Sequence, residues 1–135
     1  TLRIGSRIPT IDVDSSAGSE LKLVEAEYTC LIFMHSESEP SIEAIRHFSS
    51  NIYNEEIDLD VVLLTPEQDG FEEDMLRSIT TNKTIVAFDN EGRTFANFNI
   101  EHIPFAVVYN TASRRALWFG PLARLTSERL ASTLK

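Results

Sequence analysis

Leu31-Ile-Phe-Met-His-Ser-Glu-Ser38-Glu39-Pro40-Ser41-Ile-Glu-Ala-Ile-Arg-His-Phe48 passes from an apolar run through a tight polar turn into an amphipathic segment. Thr29 to Met34 shows no polar alternation, which predicts a strand buried on both faces. Beyond the turn, Ile42, Ile45, Phe48 and Ile52 recur at helical spacing, with Glu43, Arg46, His47 and Ser50 on the opposite side. Ser36, three residues before Glu39, and Ser38 itself are helix-start signals, so capping is the first role expected of these serines.

Working outward, Leu59 to Thr65 predicts a second buried strand, and Thr84 to Phe88 a shorter one ended by the turn Asp89-Asn-Glu-Gly92. Phe105 to Tyr109 and Arg115 to Phe119 read as strands of a hairpin joined at Asn110 to Ser113. Toward the N-terminus, a short strand is expected over Thr10 to Val13, a turn over Ser15 to Ser19 and another strand over Glu20 to Leu23. Pro66 opens an acidic segment in which Phe71, Met75, Leu76 and Ile79 keep helical spacing. Arg93 to Asn99 reads as a brief helical turn, and Leu122 to Leu134 as a closing helix. Strands alternating with helices and finishing in a hairpin and a helix give an α/β sandwich with a central mixed β-sheet. With no repeat or linker, residues 1–135 are expected to form a single domain.

The net charge of −9 argues against nucleic acid, whose phosphates require clustered Lys and Arg. No stretch approaches the roughly 18 apolar residues of a membrane span. A basic segment followed by an apolar one is lacking at the start, so no signal peptide is expected within these residues. The single cysteine, Cys30, lies in an apolar run and is expected to be a buried core thiol, without an intramolecular disulfide or zinc site. His35, His47 and His102 match no metal-ligand spacing. Trp118 is expected to pack rather than to stack a ligand. A Ser nucleophile activated by His35 is disfavoured, because no orienting carboxylate or glycine-flanked elbow accompanies it.

Taken in order, several short motifs resemble the thioredoxin fold, and within it the TlpA-like family of extracytoplasmic thiol–disulfide oxidoreductases. Gly5-Ser-Arg-Ile-Pro9 resembles the family's opening Gly-x-x-x-Pro, and Gly18-Ser-Glu-Leu21 its following turn and strand. Glu37-Ser38-Glu39-Pro40-Ser41 stands where the family carries Trp-Cys-x-Pro-Cys, Asp89-Asn-Glu-Gly92 matches its Asp-x-x-Gly, and Ile103-Pro104 its cis-proline loop. The resemblance covers nearly the whole chain and departs from it at both cysteines, at the tryptophan (Glu37), at the buried acid (Ala44) and after the proline (Phe105-Ala106). The peroxiredoxin signature Pro-x-x-x-Thr/Ser-x-x-Cys does not occur.

The resemblance implies that Ser38 and Ser41 occupy the catalytic Cys-x-x-Cys positions and that Pro104 lies opposite them. It further implies a substrate groove of Glu37, Glu39, Pro40 and Ile103, no cofactor and no metal. In a working member, the first thiolate is stabilised at a helix N-terminus and attacks a partner disulfide, and the second thiol resolves the mixed disulfide. Serine keeps the shape and lacks the reaction. Two readings follow. One is an oxidoreductase-type domain whose thiols are absent from this chain and whose partners are protein thiols or disulfides. The other is a non-catalytic binding module for an extended peptide or envelope partner. The resemblance implies an extracytoplasmic location, in the periplasm or cell envelope. A monomer is expected from the lack of an exposed apolar stripe, and no membrane span is expected in this chain.

Overall fold

The computed structural model describes residues 2–13, 25–66 and 83–134. Its centre is strand β1 (Tyr28–Phe33), continued by β2 (Leu59–Thr65), β3 (Thr84–Phe88), β4 (Phe105–Asn110) and β5 (Ala116–Pro121). The spatial order is β3-β2-β1-β4-β5. β1 runs parallel to β2, and β2 to β3, whereas β4 is antiparallel to β1 and β5 to β4. The sheet is therefore mixed, as expected.

The apolar run of β1 is explained by what lies on each face. Side chains alternate across a strand, so Cys30, Ile32 and Met34 join Leu59, Val61 and Leu63 on one side. Leu31 and Phe33 join Val62 and Leu64 on the other. Helix α1 (Glu39–His47) covers the first side with Ile42, Ile45 and, just past its end, Phe48; α3 (Ser127–Thr133) adds Leu130. The second side is covered by Ile8, Phe98 and Phe95, the last two in and just beyond α2 (Arg93–Asn97). Phe33 meets the edge of Phe95 at 5.0 Å and an interplanar angle of 87°, an arrangement favoured by the ring quadrupoles.

Three expectations are corrected. First, the closing helix over Leu122 to Leu134 is divided. Leu122–Arg124 form a 3-10 turn, and Thr126 starts a separate helix by accepting the Arg129 N–H on its Oγ1 at 3.1 Å. The leucines continue across the break because the turn and the helix face the same core. Second, Thr10 to Val13 is not a strand: Val13 alone bridges Asp89, and upstream Arg7 bridges Arg115. Pro9 has no N–H for a ladder, and the backbone of Asp12 is bound to the Thr94 hydroxyl instead. Third, Ile52 does not continue α1. The chain widens into a π-helical turn, Phe48–Ile52, where Tyr53 N–H reaches the Phe48 carbonyl at 2.8 Å.

The remaining strand expectations fall within a residue or two of the observed bounds. The turn over Ser15 to Ser19, the strand over Glu20 to Leu23, Gly18-Ser-Glu-Leu21 and the helical segment containing Phe71, Met75, Leu76 and Ile79 lie outside the described residues.

Candidate functional site: the turn into helix α1

β1 delivers the chain to the turn under close control. Met34 N–H still bonds the Leu64 carbonyl at 2.9 Å, so the ladder runs one residue past the strand. His35 then organises the corner. Its Nδ1 accepts the Glu37 N–H at 3.1 Å, and its carbonyl accepts the Ser38 N–H at 3.1 Å. Ser38 has extended dihedrals (φ −86°, ψ 105°), and its Oγ accepts the Ser41 N–H at 3.2 Å. Its carbonyl takes the first helical bond, from Ile42. Pro40 in the first turn lacks only an N–H that the helix would leave unpaired. Glu39 in the first turn and Arg46 and His47 in the last both suit the helix dipole.

The two serines are in different surroundings. Ser38 is half-buried at the rim, whereas Ser41 is 0% exposed. The Ser41 Oγ and the buried Oγ of Ser36 find no hydrogen-bond partner among the described residues. A buried hydroxyl without a partner costs about 1–3 kcal/mol. The surroundings of position 41 thus suit a small group with little hydrogen-bonding demand better than they suit a hydroxyl.

The Ile103–Pro104 peptide bond is cis. Phe105, the next residue, is register partner to Phe33, so the Ile103-Pro104 loop and the turn into α1 lie at the same end of the sheet. The Pro104 carbonyl accepts the Leu122 N–H at 3.1 Å, tying the loop to the 3-10 turn. Glu37, Glu39 and Pro40 are exposed, and Ile103 and Pro104 half-buried. The topology therefore gathers Glu37, Ser38, Glu39, Pro40, Ser41, Ile103 and Pro104 at one end of the sheet, flanked by His35 and the exposed His102.

Nucleophilic chemistry at sulfur is remote from this place. Cys30 lies on β1 between register partners Val61 and Val108, is 0% exposed, and has its thiol pushed up to about 12 by burial. A thiol at that pKa is inert at physiological pH. Among the described residues no three His, Cys, Asp or Glu side chains gather as a metal site. Trp118 is half-buried and packs against the core cluster of Cys30 and Ile32.

Sequence inspection missed a second polar cluster. Asp89 is buried and its carboxylate accepts the N–H groups of Thr94 at 2.8 Å and Phe95 at 3.0 Å, so it anchors the start of α2 from four residues before it. Asp12 accepts from the Asn90 amide and the Arg93 guanidinium, and these hold its carboxyl below the usual range, Asn90 most strongly. The signal was present in Asp89-Asn-Glu-Gly92, but the turn pattern alone does not reveal which donors Asp89 receives.

Comparison with known proteins finds no matching family model and no matching curated protein. Solved structures do match. A proposed thiol:disulfide interchange protein, DsbE, from Chlorobium tepidum superposes with a TM-score of 0.71 at 14% identity, over 100% of both chains. StoA from Bacillus subtilis gives 0.59 at 20% identity, over 82% of this chain and 84% of that one. A secreted Mycobacterium tuberculosis disulfide oxidoreductase homologous to Escherichia coli DsbE gives 0.61 at 16%, over 84% of each. At these identities the likeness establishes the fold, which is thioredoxin-like.

Proposed function

We propose that this thioredoxin-like chain is a TlpA-type relative of the thiol–disulfide oxidoreductases in which Ser38 and Ser41 stand at the two thiol positions, leaving it silent in disulfide exchange. The observation that carries this is the local geometry. Ser38 sits at the N-terminus of a nine-residue helix with its Oγ 3.2 Å from the Ser41 N–H. A thiolate at that point would be stabilised by the same N–H and by the helix dipole. The second position follows one helical turn later and is buried, as a resolving thiol requires. A serine hydroxyl there neither ionises at neutral pH nor accepts a disulfide sulfur.

A second reading is favoured by the surroundings of the serines. Exposed Glu37, Glu39 and Pro40 and half-buried Ile103 and Pro104 share one end of the sheet, where an extended segment of a partner protein would lie. In this reading the domain binds and does not exchange electrons. The structural relatives, one described as secreted, support an extracytoplasmic setting for either form. Among the described residues no helix is long and apolar enough to cross a membrane.

The test is the double substitution Ser38→Cys, Ser41→Cys. The parent should leave a disulfide substrate unreduced in the presence of a dithiol donor. The double variant should form an intramolecular 38–41 disulfide, seen as loss of two alkylatable thiols while Cys30 stays protected, and should turn over the same substrate. Two free thiols persisting under oxidising conditions in a folded variant would overturn the assignment of positions 38 and 41.

A further inference from the structure

We propose that the opposite end of the sheet carries an anion-binding cleft, built by Arg7 and Arg114, for a small organic oxyanion. The register places it there. The turn into α1 follows Phe33, partner of Phe105, whereas Tyr28 at the other end of β1 pairs with Asn110, where the β4–β5 turn begins. In that turn Ser113 N–H bonds the Asn110 side chain, and Arg114 closes it in the left-handed region (φ 62°). The N-terminal segment then lies along the start of β5, with Ile8 N–H on the Arg114 carbonyl at 2.8 Å and Arg7 bridging Arg115.

The result is a cleft of about 430 Å³ lined by Arg7, Ile8, Pro9, Thr10, Ile11 and Arg114. Its lining combines two exposed arginines and a threonine with apolar residues, and among the described residues it includes no Asp or Glu. Neither arginine makes an ion pair among the described residues, unlike Arg46 and Arg93, which are engaged by Glu43, Asp12 and Glu91. Arg114 is also held in place: its guanidinium carbon stands 5.8 Å from the centroid of the Tyr109 ring, a cation–π contact. Behind the cleft, the Arg115 guanidinium donates to the Gly5 carbonyl at 2.8 Å and fixes the strap that carries Arg7.

The setting makes this arrangement specific. The chain carries a net charge of −9, so its overall field repels anions. Two arginines in one cleft of such a molecule, neither ion-paired among the described residues, form a local exception, and the planar fork of arginine matches carboxylate and phosphate oxygens. Half-buried Pro9 and Ile11 give the ligand's body an apolar surface to rest on. The ligand class is therefore a phosphate or carboxylate head on an apolar body, rather than a free inorganic ion.

Phenyl phosphate, benzoate, inorganic phosphate and phenol serve as probes, titrated into the full chain labelled for NMR. Phenyl phosphate or benzoate should produce saturable shifts confined to residues 7–11 and 114–116. Affinity should be at least ten-fold above that for inorganic phosphate, and phenol should give none. Whichever of the two binds more tightly identifies the head group. Arg7→Gln and Arg114→Gln should each weaken binding at least ten-fold. Shifts scattered over Arg46, Arg93, Arg124 and Arg129, equal responses to inorganic and phenyl phosphate, or no saturation would overturn the proposal. The comparison of probes on the parent decides it even where a variant folds poorly.

Discussion

Ser38 and Ser41 are one helical turn apart and put opposite demands on the structure. The Ser38 hydroxyl satisfies a backbone N–H that the helix leaves without an intrahelical partner. The Ser41 hydroxyl is enclosed and satisfies nothing among the described residues. Removing each oxygen should therefore move stability in different directions. Ser38→Ala should cost about 1 kcal/mol, the usual value of an N-cap side chain. Ser41→Ala should raise stability by about 1 kcal/mol, because the desolvation cost of an unpaired buried hydroxyl disappears. Denaturant unfolding of the two variants beside the parent checks both signs at once. A loss at position 41 equal to that at 38 would mean that the Ser41 oxygen has a partner. Capping by Ser38 was legible in the sequence, since Ser ahead of Glu-Pro is a helix-start signal. The burial of Ser41 was not, because it depends on how α1 seats on the sheet.

Elements were legible in proportion to how local their causes are. β1, β2 and β4 are apolar because helices and loops cover both faces of the sheet, and an apolar run reads directly as a buried strand. The division after Arg124 was hidden because Leu122, Leu125 and Leu130 all reach the same core, so helical spacing persists through a non-helical joint. The π-helical turn at Phe48–Ile52 was hidden for a similar reason: the extra residue shifts the register while keeping Phe48 buried. The start of α2 depends on partners far away in sequence, with Thr94 bonded to Asp12 across 82 residues. That cluster gives the element a pH dependence. Asn90 first, then Arg93, lowers the carboxyl of Asp12 below its ordinary 3.8. A group whose folded pKa is depressed contributes its stabilisation above the unfolded value and loses it as pH falls through the folded one. The parent should accordingly be more stable than Asp12→Asn by a constant margin above pH 3.8, and the margin should close below it. Unfolding midpoints of the two proteins measured down through that range decide it, and parallel curves would remove Asp12 from the acid response.

At the scale of the whole molecule, the two ends of the sheet are assembled differently. The end bearing Ser38 and Pro104 is formed by two loops of a thioredoxin-like frame, the turn after β1 and the loop before β4, brought together by the pairing of Phe33 with Phe105. The opposite end depends on the N-terminal strap, which reaches β5 through bonds from Gly5 to Ala116 at 2.7 Å, Ala116 to Ser6 at 2.9 Å and Ile8 to Arg114 at 2.8 Å. β5 has β4 on one side, so the strap covers part of its other, outer edge. An uncovered edge strand offers unpaired N–H and C=O groups to another chain. Deleting residues 1–8 should therefore have two effects. Stability should fall by roughly 2–4 kcal/mol, from lost burial of Ile8 and lost edge hydrogen bonds. Self-association should rise relative to the parent, measured by sedimentation at matched concentrations. The second effect is the sharper one, because the deletion also removes Arg3 and Arg7 and leaves a more acidic chain, whose mutual repulsion opposes association. If association rises despite that repulsion, backbone pairing at the bared β5 edge is the stronger force. If it does not rise in a variant that remains folded, the strap contributes stability and the Arg7 side of the cleft, and protection of the edge is not part of its role.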